Sequence, residues 1–156
     1  MKAHPFDLPG VDGKRWSPAT ARGEKGLVVM FICNHCPYVK KSIDRIVADC
    51  KTLASKGVGA IAVMPNDPGY NAEDSFDNMK RVAREKGFPF PYVIDETQDV
   101  ARAYDAVCTP DFFGFDANLE LRYHGRLEEL AEAMTGKPPQ KPINSIGCSI
   151  KWKKAT

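Results

Sequence analysis

The sequence lacks most of the features that place a protein at a glance. It has no apolar run near the ~18 residues that cross a bilayer. Its opening, MKAHPFDLPG, holds no apolar stretch of the length a secretory leader needs. The expected location is the reducing cytoplasm, without membrane contact. Net charge is almost absent: 22 Lys and Arg against 20 Asp and Glu leave +2, too little to argue for a nucleic-acid partner. Repeats and low-complexity linkers are missing, so 156 residues read as one domain, long enough to bury a core without cross-links. Cysteine is sparse and odd in number, five. That excludes complete pairing and, in a reducing compartment, a structural disulfide framework.

The charge that is present falls unevenly. Residues 137–156 carry five lysines and no acid, leaving 17 basic against 20 acidic residues, or −3, in the rest. This basic, proline-containing tail is either a solvated end or a contact for an acidic partner. Its apolar residues Ile146, Ile150 and Trp152 give it a reason to pack, so it is expected to dock on the domain. Residues 1–24 read as an N-terminal arm or hairpin turning at Val11-Asp12-Gly13-Lys14.

Between arm and tail, over about 25–135, apolar spacing alternates between two periods. Leu27–Ile32 is a continuous apolar run, as expected of a strand covered on both faces. Val39, Ile43, Ile46, Val47, Cys50, Leu53 and Ala54 then form one helical stripe, closed by Gly57. Val58–Met64 is a second buried strand, and Asp74–Lys86 a second helix. Tyr92–Ile94 is a short strand, and Thr97 is placed to cap a short helix burying Val100 and Tyr104. Asp111–Asp116 and Leu119–Tyr123 read as a hairpin around Ala117-Asn118, and Arg126–Thr135 as a last helix. This order predicts an α/β fold with parallel strands, crossover helices and a closing hairpin that makes the sheet mixed.

The chemistry concentrates in VVMFICNHCPYVKK, residues 28–41. Cys33 falls where a buried strand gives way to a helix, the place where open α/β sheets put their sites. Helix N–H groups and the helix dipole stabilise a thiolate there, so the Cys33 pKa is expected to fall. Cys36 lies one turn on, close enough to close a disulfide ring, and Pro37 is compatible with a first helical turn. Three readings are open: a redox pair, part of a metal site, or a structural pair. Structural zinc wants four ligands. Cys33 and Cys36, with His35 or Cys108, could supply some, but the sequence has no second Cys-x-x-Cys and no His pair.

The order strand, Cys-x-x-Cys, helix, strand, helix, then Thr109-Pro110 before a hairpin and helix, resembles the thioredoxin fold. The arm FDLPGVDGKRW resembles the redoxin branch, which includes the AhpC/TSA peroxiredoxins and TlpA-like thiol reductases. FICNHCPYVKK, VCTPDFFGFD and SIGCSIKWK resemble an uncharacterised thioredoxin-like subfamily. The resemblance implies a cis Thr109-Pro110 bond facing the cysteines, with Thr109 and Pro110 holding a partner's backbone. It implies thiol–disulfide exchange, with Cys33 attacking and Cys36 resolving. The partners would be protein or small-molecule thiols and disulfides, with a reductant such as thioredoxin or glutathione and no metal or organic cofactor. The rival is an antioxidant thiol peroxidase. Peroxiredoxins place Thr or Ser three residues before the reactive cysteine and an Arg where thioredoxins have the cis proline. Here those positions hold Met30 and Pro110, which favours exchange.

His35 is either an electrostatic aid to the thiolate, making the disulfide more oxidising than thioredoxin's, or a spacer. Cys50 lies on the apolar stripe and reads as core. Cys108 is a packed strand cysteine or a third redox sulfur, and Cys148 a free thiol or a resolving one. The strand before the cysteines carries no acid to accept the Cys36 proton, and Asp67 is the candidate.

Overall fold

The computed structural model describes residues 1–136 and 145–153. Most of the basic tail, residues 137–144 and 154–156, lies outside the described residues. In chain order the elements are β1 (Leu8–Pro9), β2 (Arg15–Trp16), α1 (Pro18–Ala21), β3 (Gly26–Phe31), α2 (Pro37–Ser55), β4 (Val58–Met64), α3 (Phe76–Lys86), β5 (Tyr92–Ile94), α4 (Asp99–Ala103), β6 (Cys108–Thr109), β7 (Asp111–Phe115), β8 (Leu121–Gly125), α5 (Leu130–Thr135) and β9 (Cys148–Ser149). Short 3₁₀ turns at Ala72–Asp74 and Leu127–Glu129 precede α3 and α5.

Five strands form the central sheet in the order β5-β4-β3-β7-β8. β3 runs parallel to β4, and β4 to β5, while β7 is antiparallel to both β3 and β8. The mixed sheet expected from the element order is therefore present. All six β3 residues are buried, and their alternation divides them between two layers. Val28 and Met30 face α2, α3 and α5, against Ile43, Ile46, Met79 and Leu130. Leu27, Val29 and Phe31 face the other side, against Val100, Tyr104 and Phe113. Each such side chain removed from water stabilises the fold by about 1.5–3 kcal/mol, which is why the unbroken apolar run occupies the sheet centre.

The differences from expectation lie at element ends. The turn between β7 and β8 is longer than a two-residue hairpin, because the Asp116 carboxylate collects the N–H groups of Asn118 and Glu120 at 2.8 and 3.0 Å. α4 is capped chiefly by Asp95, which accepts from Val100 and Ala101 N–H at 3.3 and 2.9 Å. Thr97 reaches only Asp99 N–H, at 3.3 Å. Gln98, at φ 66°, sits in left-handed backbone that a non-glycine residue adopts only with support. Its buried amide supplies that support, donating to Pro65 and Lys151 carbonyls at 2.8 and 2.9 Å and accepting from Lys153 N–H at 2.8 Å.

The described part of the tail docks. Ile150 is buried among the second layer and its N–H donates to the Val107 carbonyl at 2.9 Å. The Trp152 ring lies beneath the Arg102 guanidinium, 4.8 Å away. β9 pairs antiparallel with β6, Thr109 opposite Cys148 and Cys108 opposite Ser149.

Candidate active site

β3 delivers Cys33 two residues beyond its end, and α2 begins at Pro37 with Cys36 as its N-cap. Both thiols are buried, at 2% and 0% exposure. Both reach the same residue of β6. The Cys33 sulfur lies 3.3 Å from the Thr109 hydroxyl, and the Cys36 thiol donates to the Thr109 carbonyl at 3.4 Å. The Thr109–Pro110 peptide is cis.

The electrostatics reverse the sequence-based expectation for Cys33. Burial pushes its thiol up to about 12; the Thr109 hydroxyl opposes this and the Asp74 charge adds to it. Cys36 is the sulfur held below the ordinary 9.0. Burial raises it, but the proximity of the Cys148 thiol and of the N–H groups of Val39, Cys148 and Tyr38 outweighs that. The physical reason is position. The free N–H groups of the first helical turn lie nearest the N-cap residue, which is Cys36, although its side chain makes no capping hydrogen bond.

The buried acid behind the pair is Asp74, which sequence reasoning missed. Its fully buried carboxylate accepts from Asn34 N–H at 2.7 Å, His35 N–H at 3.3 Å, the His35 ring Nδ1 and the Asn66 amide at 3.1 Å. The Asn34 amide closes the network, donating to the Glu73 carbonyl and accepting from the Tyr92 hydroxyl, each at 2.8 Å. His35 is thus committed to Asp74 and not to a cysteine sulfur. In the sequence, Asp74 reads as an acidic residue opening a helix, a common placement beside the helix dipole. Nothing local marks it as buried.

Asp67, the expected proton acceptor, caps Gly69 N–H at 2.9 Å with its carboxylate, and its own N–H holds the Lys151 carbonyl at 2.8 Å. Its backbone thus fastens the tail. The neighbouring Asn66 is the residue that reaches the site: its amide nitrogen binds Asp74, and its oxygen accepts from Lys151 N–H at 2.9 Å. Cys108 is partly buried, and its thiol is pushed up to about 11 by burial. Cys50 is a core cysteine under Met30, sulfur to sulfur at 3.8 Å. The edge of Thr109, expected to receive a partner's backbone, is already paired with β9.

One cavity borders Cys33, and a second lies beside Tyr38 and Pro110. The first, of about 300 Å³, is bordered by Cys33, Asn34, Lys40, Glu73, Arg81 and Phe88. The second, of about 380 Å³, is bordered by Tyr38, Arg45, Pro110 and Ile146. Among the described residues, Cys33, His35 and Asp74 bring ligand atoms within 4.8 Å of one another, a spacing that could hold a metal ion. Two of those atoms, the His35 nitrogen and an Asp74 oxygen, are already spent on each other. Among the described residues, no helix is long and apolar enough to cross a membrane.

The chain matches the family described as AhpC/TSA over residues 1–124. It is similar to an uncharacterised conserved protein from Geobacillus kaustophilus, with 42% identity, TM-score 0.93, and 100% of this chain and 93% of that chain covered. The hypothetical protein SMc02350 from Sinorhizobium meliloti 1021 shares 29% identity at TM-score 0.92, over 99% and 94% of the two chains. A thiol:disulfide interchange protein of the thioredoxin family from Chlorobium tepidum TLS shares 25% identity at TM-score 0.66, over 80% and 83%. No curated protein matches the chain. The architecture is the thioredoxin fold.

Proposed function

The chain belongs to the AhpC/TSA family, and we propose that within it the protein is a thiol–disulfide oxidoreductase using Cys33 and Cys36 as its dithiol. The observation that carries this reading is the convergence of both sulfurs on Thr109, at 3.3 and 3.4 Å, beside a cis proline. Cys33 borders a surface cavity, so it is the sulfur that meets a partner. Cys33 gives up the proton that burial otherwise keeps on it, and its sulfur attacks one sulfur of the partner's disulfide, forming a mixed disulfide and releasing the other, which takes up that proton. Cys36 then attacks the Cys33 sulfur, which frees the second partner thiol and leaves a Cys33–Cys36 disulfide. The partner gains two electrons and two protons, and a thiol reductant such as thioredoxin or glutathione returns the pair to its starting state. Electrons move with the sulfur–sulfur bonds, so the exchange calls for no bound cofactor.

Offering the reduced protein insulin disulfide in one arm and hydrogen peroxide in the other tests this reading. Faster consumption of insulin disulfide is expected. Consumption of peroxide at the higher rate would make the protein an antioxidant thiol peroxidase instead. Trapping assigns the roles. Cys36→Ser is expected to hold partners as mixed disulfides, and partners held by Cys33→Ser in its place would reverse the order of attack.

A further inference from the structure

Gly147 lies so close to β6 that a Cβ on it would fall 2.0 Å from the Thr109 carbonyl oxygen. Only a residue without a side chain fits there, and the result is that the tail lies directly on the Thr109–Pro110 backbone. Cys148 follows, directly opposite Thr109 in the β6–β9 pair. Residues directly opposite in an antiparallel pair project to the same face. The Thr109 hydroxyl reaches the Cys33 sulfur, so Cys148 is on the Cys33 face of the strand, while the Cys36 thiol donates to the carbonyl of the same Thr109. The Cys148 side chain is partly buried and packs against the cluster that contains Cys33 and Cys36.

This placement is fastened on both sides. Upstream, the Ser145 hydroxyl donates to the buried Asp111 carboxylate at 2.6 Å. Downstream, Ile150 and Lys151 are held by Val107, Asp67, Asn66 and Gln98. Asn66 joins the tail to the Asp74 network that orients Asn34 and His35. Cys148 therefore occupies a built position and is not a thiol on a loose end.

We propose that Cys148 is a third redox cysteine whose partner is Cys36, so that Cys36 is shared between two alternative disulfides. The inference rests on the reading of Cys33 and Cys36 as an exchanging dithiol. Once the Cys33–Cys36 disulfide has formed, the Cys148 thiolate attacks the Cys36 sulfur. The Cys36–Cys148 bond forms as the Cys33–Cys36 bond breaks, and the Cys33 sulfur leaves as thiolate and takes up the proton that Cys148 gave up. Nothing is oxidised or reduced overall. The oxidising equivalent moves from the cavity side to the tail strand, and Cys33 is again free to attack.

The test uses full-length Cys33→Ser protein treated with oxidised dithiothreitol, quenched in acid, alkylated, digested and read by mass spectrometry. The expected product is an intramolecular Cys36–Cys148 linkage, absent from Cys33→Ser/Cys148→Ser and unchanged in Cys33→Ser/Cys108→Ser. Free Cys36 and Cys148, or a Cys36–Cys108 linkage, would overturn the proposal. Adding Gly147→Ala to Cys33→Ser is expected to lower the yield at least tenfold, because the Cβ displaces the strand. An undiminished yield would show that β9 does not present the thiol. Wild-type protein reads the transfer itself: Cys33 should be alkylated wherever Cys36 is linked to Cys148, and Cys36–Cys148 linkage missing from wild type would sink the relay. Cys148→Ser reports separately on the dithiol. Failure of the Cys33–Cys36 bond there would end the oxidoreductase reading whatever Cys36 and Cys148 do.

Discussion

Thr109 is the residue on which the site turns, since its hydroxyl and its carbonyl each meet a different sulfur. The hydroxyl lowers the Cys33 pKa against burial. Thr109→Val keeps the shape and the β6–β9 backbone pairing while removing that hydrogen bond. Thiolate absorbance against pH should show Cys33 titrating higher in the variant, and an unchanged titration would mean the hydroxyl does not serve the sulfur. Asp74 acts in the opposite sense. Its charge raises Cys33, and its buried oxygens satisfy four donors. Asp74→Asn should bring the Cys33 titration down. It should also cost about 1–3 kcal/mol in urea unfolding, because an amide cannot accept from every donor the carboxylate served. Loss of stability with no change in titration would confine Asp74 to a structural role.

At the scale of elements, short pieces are held by side chains from their neighbours. α4 has five residues, too few to persist by helix propensity alone. It relies on Asp95, at the end of β5, for its first N–H bonds. Asp95→Ala should cost about 0.5–2 kcal/mol, the usual range for a lost N-cap. The chemical shifts of residues 98–104 should change most, and a uniform change would point to damage elsewhere. Because Gln98 opens α4 and also binds Lys151 and Lys153, the cap and the tail are coupled through one residue. β9 itself is two residues long and is held mainly by bonds outside its own ladder.

For the molecule as a whole, buried thiols tie stability to pH. Burial pushes Cys50 from 9.0 up to about 12, and Cys33 moves the same way. In the unfolded chain these thiols ionise near their ordinary value. Between about pH 9 and 12 the folded state therefore holds protons the unfolded state has released. Their stabilising contribution is full below the unfolded value and is lost as pH rises, at about 1.4 kcal/mol per pH unit for each thiol. Urea unfolding near pH 8 and pH 10 should show wild type losing about 1.4 kcal/mol more than Cys50→Ala, the share of that one thiol. Equal stability at the two pH values would show that the thiols are not sealed from water.

Much of this was determined by the sequence alone. The six-residue apolar run suits a strand covered on both faces, the stripe that starts at Val39 suits a helix, and the change of period after Cys36 marks the junction where the cysteines sit. These are local consequences of side-chain spacing, and they survive folding because the apolar residues in the pattern are buried as their period requires, with the exception of the exposed Ala54 at the end of the stripe. Thr109-Pro110 was legible through family resemblance. Tertiary structure decided what depended on distance across the chain. Asp74 lies 40 residues from Asn34, and in sequence it is one acidic helix opener among several. The sulfur at the helix N-cap is Cys36 because five residues connect β3 to α2, and where in that stretch the helix starts is beyond what periodicity resolves. Cys148 comes opposite Thr109 only because Gly147 allows the tail onto β6, a contact whose free energy comes from backbone pairing and a buried Ile150, neither of which leaves a mark in the residues around the first two cysteines.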